Sequence, residues 1–430
     1  LSRIIQVHER PSLGESIPLS LQHLFAMFGS NVLVPILFHV DPSTILLMNG
    51  IGTLLYILMT KGKIPAFLGS SFAFLSPVFV VLGGKGYNAA LGGFLVVGLI
   101  FTIIAWIIKV AGTRWIDVVF PPAAMGAIVA VIGLELVPTA ANMAGFIAPS
   151  GAGADWSPDA TAVTVSVITL LVGLVGSVVF RGIFKVIPIL IAIIVGYVLA
   201  ALLGLVHVGE VVGNAPWIKL PTFYSPTFDA ASILIIVPAA LVVIAEHIGH
   251  LIVTGNIVGK DLSKDPGLSR SLLGNGISTM LSAVVGSTPN TTYGENIGVL
   301  ALSRVYSVWV IGGAAVLAIV LSFVGKLSAL IQTIPTPVMG GVSLLLFGVI
   351  ATSGIRMLVE TKVDYSKPIN LILTTVVLVI GLSGATLKWG HFELKGMALA
   401  TIVTIVLSLF FKLLEVLKLT NEEEQQPSGH

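Results

Sequence analysis

Cysteine is absent from the 430 residues. That excludes disulfides and thiolate metal sites. Charge is nearly as scarce: Asp, Glu, Lys and Arg make up 10% of the chain, against about 25% in an average soluble protein. Hydrophobic residues make up 56%. The class that fits is a polytopic membrane protein, with the bilayer as its solvent. The net charge of +2 says nothing about nucleic acid, which is not an expected partner of such a membrane protein; the basic residues matter through their placement. The opening stretch "LSRIIQVHERPSLGES" holds too short an apolar run for a signal peptide. The acidic tail "NEEEQQPSGH" is expected to be disordered.

A spanning helix needs about 20 apolar residues. Apolar segments recur near 18–40, 42–60, 66–82, 87–109, 116–136, 161–180, 186–206, 230–256, 270–285, 289–303, 307–325, 334–354, 369–386 and 394–417. That gives fourteen, with the third and tenth short or broken. Basic residues favour cytoplasmic loops. With the N-terminus inside and every segment crossing, seventeen of the 22 Lys and Arg fall inside and five outside. The inside set runs from Arg3 to Lys418. The outside set is Lys85, Lys219, Lys326, Lys388 and Lys395. Both termini are therefore expected in the cytoplasm.

Three echoes divide the chain. "LQHL" at 21–24 resembles "AEHI" at 245–248, "LGSSFAF" at 68–74 resembles "VGSTPNT" at 285–291, and "FPPAAMG" at 120–126 resembles "IPTPVMG" at 334–340. They keep the same order, offset by about half the chain. Two repeats of seven spans follow, and an odd number puts the second repeat upside down. Inverted repeats with interrupted helices are a secondary-transporter architecture, with the substrate site near the midplane at the breaks. Unpaired backbone at that depth is tolerated only inside protein or along a cavity. Segments 66–82 and 289–303 are thus expected to face each other, carry short extended stretches, and line the site. Pro121, Met125, Pro335 and Met339 read as packing and kink positions.

Few ionisable residues lie deep in the spans: His23, Glu246, His247, His250 and Glu295. A charged side chain at the bilayer centre costs at least ~2.5–3.5 kcal/mol on insertion scales, so such residues default to function. In "IAEHIGHL" at 244–251, Glu246 and His250 are i and i+4, share a helix face and can touch. They read as a carboxylate and an imidazole sharing a coupled proton, against the plainer reading of a polar brace between helices. His247 points about 100° away. The order E-H-x-x-H is not the H-E-x-x-H of zinc proteases. Glu295 lies between Tyr293-Gly294 and Asn296-Ile297-Gly298, where glycine lets a backbone approach a ligand. A carboxylate beside free backbone groups suits a small planar solute with donors and acceptors. Phe72 could stack on such a ring or simply pack. Gln22 and His23 are placed to hydrogen-bond the broken segments.

"ENIGVLALSR" at 295–304 is similar to the signature of the nucleobase–ascorbate transporter family, [QEP]-N-x-G-x4-T-[RKG]. "QHL" at 22–24, "GSSFAF" at 69–74 and "AEHIGHL" at 245–251 resemble the same family, nearest its bacterial uracil permeases. The resemblance implies an all-α polytopic membrane protein with 14 transmembrane segments as a 7+7 inverted repeat, and short antiparallel strands in segments 3 and 10. It implies a core domain, 1–113 and 229–332, a gate domain, 114–228 and 333–418, and a tail at 419–430. It implies a proton-coupled uracil symporter of the bacterial cytoplasmic membrane, not an enzyme, dimeric through the gate domain, with no cofactor beyond the coupling proton.

On that resemblance Glu246, Glu295, Phe72, Ser71, Tyr293 and Gly294 bind substrate. Glu246, His250 and Glu295 couple the proton, and Gln22, His23, Asn296 and Ser303 support the site. Two departures stand out: Ser303 replaces the signature Thr, and Phe347 stands where close family members carry Tyr. Transport of another nucleobase such as xanthine, or of an anion on a similar architecture, are the alternatives, as is a receptor-like membrane protein.

Overall fold

The computed structural model describes residues 4–149, 151–153, 155–206, 208–390 and 392–420. Arg3 and the acidic tail 421–430 lie outside the described residues. The first half opens on a broken helix: α1 (Leu13–Ala26) and α2 (Phe28–Phe38) meet at Met27. Ser12 starts α1 with a reciprocal capping box to Glu15. α3 (Pro42–Met59) follows, capped by Asp41, whose carboxylate accepts from the Ser43 amide at 3.0 Å. The third segment is a strand, β1 (Leu68–Ser70), a short 3-10 turn at 72–74, and α4 (Leu75–Leu82). Then come α5 (Tyr87–Ala111), the short α6 (Arg114–Val119), α7 (Pro122–Met143), α8 (Ala160–Val179), α9 (Pro188–Leu202) and the short α10 (Val208–Asn214).

The second half repeats the series. α11 (Ala230–Ile236) and α12 (Pro238–Val258) form another interrupted helix, followed by α13 (Leu268–Val285). A strand, β2 (Asn290–Thr292), leads into α14 (Gly294–Ser303), and α15 (Val308–Ser322) precedes the short α16 (Gly325–Gln332). α17 (Thr336–Glu360), α18 (Pro368–Leu382) and α19 (Gly396–Val416) complete the half. A hairpin of β3 (Thr386–Trp389) and β4 (Phe392–Lys395) joins the last two. That hairpin falls where the sequence reading ended one span and began the next. Its exposed β3 carries no buried face to announce it.

Each of the fourteen expected segments coincides with a helix or a strand–helix unit. Among the described residues, eight helices are long and apolar enough to cross a membrane. Residues 72–82, 188–202, 308–322 and 368–382 form shorter apolar helices. With this length and apolarity the protein is an integral multi-pass membrane protein.

The two halves meet where β1 crosses β2. They pair antiparallel, Leu68 with Thr292, Gly69 with Thr291 and Ser70 with Asn290. Two strands this short leave outer edges that lipid could not satisfy. Threonines from the neighbouring helices satisfy them in the same way on each side. Thr53 of α3 accepts from the Leu68 amide at 2.9 Å and donates to its carbonyl at 3.3 Å. Thr279 of α13 does the same for Asn290, at 3.2 and 3.4 Å. The strands thus correspond at an offset of 222, whereas the echo at 285–291 matched residues five positions too early. Gly, Ser and Thr are frequent enough in this stretch for composition to align out of register.

α7 and α17 cross closely on small residues. A Cβ on Gly133 would overlap the Phe347 carbonyl, and one on Gly354 would overlap the Ala130 amide. Pro121 and Pro335 do not kink these helices. They are the N-caps of α7 and α17, where a missing N–H costs no intrahelical bond. Met125 and Met339 are buried packing residues, as expected.

Candidate functional site

At the strand crossing lies a cavity of ≈ 380 Å³, measured with its open mouth. Its polar wall comes from three places. α12 contributes Glu246 and His250, one turn apart and both about nine-tenths buried. The middle of β2 contributes Thr291. The turn into α14 contributes Tyr293, Gly294 and Glu295. Phe72 closes one side from the turn after β1. The opposite wall is Val129 of α7 with Val349, Ile350 and Ser353 of α17. No Lys or Arg lines it.

Glu246 and His250 share the cavity, but the hydrogen bond expected between them is not made. His250 Nδ1 lies 3.0 Å from Thr292 Oγ1 instead. Spacing of i, i+4 fixes a common face, not where each side chain points. The ring turns to β2, and Glu246 Oε2 stays buried without a hydrogen-bond partner. An ionised carboxylate left so would be expensive.

Glu295 sits in the first turn of α14, where the helix N-terminus favours negative charge. Its Oε1 accepts from Ser30 Oγ at 3.3 Å, and no ion pair of the described residues involves it. The first-turn amides of α14 have no intrahelical partners.

The remaining expected residues divide. Phe72, Tyr293 and Gly294 line the cavity. Phe72 meets the Phe347 ring edge to face, centroids 5.9 Å apart. Tyr293 gives only its ring, since its hydroxyl donates to the Ser70 carbonyl at 3.1 Å. Ser71 is buried but does not line the cavity. Its amide donates to the Pro289 carbonyl at 2.9 Å, extending the strand crossing. His23 is tied to α14: Asn296 Nδ2 donates to its carbonyl at 3.1 Å and lies 3.2 Å from its Nδ1. Gln22 is half-buried and outside the cavity. Ser303 closes the end of α14, donating to the Val299 carbonyl at 2.7 Å and accepting from the Val305 amide at 3.2 Å. His247 faces away, bonded to Ser271 Oγ at 2.8 Å.

The residues that sequence reasoning missed are Thr291, Thr292, Ser30, Val129, Val349, Ile350 and Ser353. "TTYGEN" advertised Thr291 and Thr292, but choosing between them needs the strand register. The apolar wall carried no signal, because valine and isoleucine are everywhere in such a chain.

A family model, Xan_ur_permease, described as a permease family, matches residues 14–390. The uracil permease of Paenibacillus larvae subsp. larvae is 70% identical over 420 residues, covering 98% of this chain and 99% of that protein. The uracil permease of Escherichia coli (strain K12) is 62% identical over 416 residues, covering 97% and 96%. The putative pyrimidine permease RutG of the same strain is 39% identical over 420 residues, covering 95% and 92%. Among solved structures, the transmembrane domain of the cyanobacterial bicarbonate transporter BicA matches with a TM-score of 0.60 at 13% identity, over 96% of this chain and 99% of that one. The murine anion transporter Slc26a9, inward-facing, matches with a TM-score of 0.67 at 11% identity, over 95% and 69%. At such identities the likeness concerns the fold alone.

Proposed function

Since the chain belongs to the permease family, among the nucleobase–ascorbate transporters and beside the bacterial uracil permeases, and so is a transporter rather than an enzyme, we propose that it takes up uracil together with protons. The observation that carries this reading is a cavity at the strand crossing lined by two carboxylates, Glu246 and Glu295, with no Lys or Arg beside them among the described residues. Uracil presents two N–H groups and two carbonyls. The carboxylates suit the N–H edge, and the positive N-terminal end of α14 suits a carbonyl. Phe72 offers a ring for stacking.

Proton coupling follows from the same charges. Two carboxylates in one enclosed site repel each other, and a proton on the Glu246/His250/Glu295 cluster relieves that repulsion as substrate enters. A membrane potential adds about 2.3 kcal/mol per charge per 100 mV to inward movement.

The cycle is alternating access, with the core domain, 1–113 and 229–332, moving against the gate domain, 114–228 and 333–418. The division of the cavity supports this: both carboxylates, His250 and Thr291 come from segments of the core, while the gate supplies Val129, Val349, Ile350 and Ser353, whose hydroxyl is committed to its own helix at the Val349 carbonyl. A surface that must slide past bound substrate should not hold it. The chain acts in the bacterial cytoplasmic membrane with both termini inside, as a homodimer through the gate.

An anion substrate is the alternative that the fold likeness raises. A site of two carboxylates without a basic side chain does not suit an anion. The test is a thermal-shift panel of uracil, thymine, xanthine, ascorbate and sulfate on detergent-solubilised protein, followed by calorimetry. Uracil should stabilise most, and Glu246→Ala should abolish its binding. Unchanged uracil affinity in Glu246→Ala sinks the site assignment, and stabilisation by sulfate alone sinks the substrate.

A further inference from the structure

The His250 ring is oriented from β2 rather than from its own helix. Thr292 ends the strand that pairs with Leu68, is buried, and makes this one side-chain hydrogen bond among the described residues. With Nδ1 engaged at 3.0 Å, Nε2 is the nitrogen left for the cavity. Position 294 agrees with this placement: a Cβ there would sit 3.5 Å from Nε2, so that nitrogen lies against the turn into α14 that lines the cavity.

A neutral imidazole has one N–H donor and one acceptor, and the bond made by one nitrogen decides the role of the other. Side chains facing the cavity are rich in acceptors and offer few free donors, the one uncommitted hydroxyl among them being Thr291 Oγ1. Glu246 and Glu295 accept. The Tyr293 hydroxyl is committed to the Ser70 carbonyl, and the Ser353 hydroxyl donates to the Val349 carbonyl at 3.0 Å. A lone pair on Nε2 would add one more acceptor. A hydrogen there would supply a donor that a substrate carbonyl needs.

We infer that Thr292 is a positioning residue: its hydroxyl donates to His250 Nδ1 and so holds the neutral ring with Nε2–H aimed into the cavity, as donor to a carbonyl of the bound pyrimidine. The titratable groups around His250 are Glu246 and His247 on its own helix, Glu295 from α14, and Tyr293 from the turn after β2. α7 and α17 face it only with Val129, Val349, Ile350 and Ser353. Because Thr292 sits in the strand crossing, the donor is built into the joint between the two halves of the chain. The Glu246–His250 pair expected from spacing is replaced by a division of labour, in which the carboxylate accepts and the histidine donates.

This inference rests on the uracil reading, and its test separates the two. Calorimetry compares uracil with 2-thiouracil and 4-thiouracil, whose sulfur is a weaker acceptor, on wild type, Thr292→Val, Thr292→Ala and Thr292→Ser. Thr292→Val and Thr292→Ala should bind uracil about five- to tenfold more weakly. Each should discriminate less between uracil and one of the thio analogues, and Thr292→Ser should restore both properties. A merely structural role for Thr292 would lower all three affinities together and leave the ratio unchanged. If wild type binds uracil but does not discriminate against either analogue, or if Thr292→Val and Thr292→Ala keep the wild-type ratio, the inference is wrong. Absence of uracil binding by wild type would instead overturn the function proposed above, and the inference with it.

Discussion

The Tyr293 ring fills the space that a side chain at position 69 would need: a Cβ on Gly69 would overlap its Cε2 and Cζ. Gly69 is paired with Thr291 in the strand crossing, and the Tyr293 hydroxyl reaches the carbonyl of Ser70 next door. One aromatic residue of the second half is thus packed and hydrogen-bonded onto the strand of the first.

Gly69→Ala should therefore separate the two strands. The methyl group cannot be accommodated by a flexible chain end, because the obstacle is a buried ring. The expected result is a lowered melting temperature together with loss of uracil-induced stabilisation. Gly14→Ala, where a Cβ meets nothing within 4 Å, is the control and should leave both unchanged. A Gly69→Ala protein with the wild-type thermal shift would contradict the arrangement.

Asn296 fastens α14 to the first span. Its Nδ2 donates to the His23 carbonyl at 3.1 Å and touches the ring at 3.2 Å, both groups buried. Removing the donor leaves that carbonyl unpaired, at about 1–3 kcal/mol. Asn296→Ala should melt at lower temperature and bind uracil more weakly, since Glu295 precedes it on α14. Asn296→Asp should be at least as damaging, because a carboxylate has no N–H to give. Equal melting temperatures for Asn296→Ala and wild type would show that this tie carries no load.

These contacts mark how far the sequence could be read. Glu246 and Glu295 were legible because a carboxylate in an apolar span must have a reason, and the crossing was legible because Pro, Gly and Ser interrupt two segments in corresponding places. The partner of His250 was not. It comes from Thr292, 42 residues away in sequence, and spacing along α12 cannot reveal what approaches from β2. Register failed likewise at the 285–291 echo, where composition matched and hydrogen bonding did not. Pro121 and Pro335 were placed correctly at helix contacts but misread as kinks, since a proline at a helix start and one inside a span look alike until the helix boundary is known.

Glu135 tests a second polar contact, far from the carboxylate pair. From α7 it accepts from Ser76 Oγ at 3.1 Å and from the Met397 amide at 3.2 Å, in the first turn of α19. Gly396 turns at φ 53°, and a Cβ there would collide with the carboxylate. A negative charge at a helix N-terminus contributes about 0.3–1 kcal/mol when exposed and up to about 2 when partly buried. Glu135→Ala should therefore lower the melting temperature more than Ser76→Ala, which removes one donor and leaves the α19 contact. Gly396→Ala should be worse than either. Thermal unfolding of the three variants followed by intrinsic tryptophan fluorescence gives the order, and Ser76→Ala melting below Glu135→Ala would reverse the argument.

Asp41 gives the pH prediction. It lies in the turn between α2 and α3. Burial pushes its carboxyl up, but hydrogen bonds outweigh this and hold it below its ordinary value. Oδ1 accepts from the Ser43 amide at 3.0 Å and Ser328 Oγ at 2.9 Å. Oδ2 accepts from the Thr222 amide at 3.0 Å and Thr222 Oγ1 at 2.9 Å, with Lys219 Nζ at 3.3 Å. The one carboxylate thus joins three separate stretches of chain: the 39–43 turn, the loop before α11, and α16. A group whose value is depressed by folding contributes stability above its unfolded value, about 3.9 for Asp, and loses it as pH falls through the folded value. Asp41→Asn keeps the shape but not the charge, and should cost about 2 kcal/mol at neutral pH, in the range of a charge-assisted hydrogen bond. The gap in melting temperature between wild type and Asp41→Asn should be full at pH 6–7, begin to close as pH falls below the unfolded value of about 3.9, and be gone once pH lies below the depressed folded value. A gap that stays constant from neutral pH into that acid range would mean that the charge on Asp41 contributes nothing and that packing alone holds these stretches together.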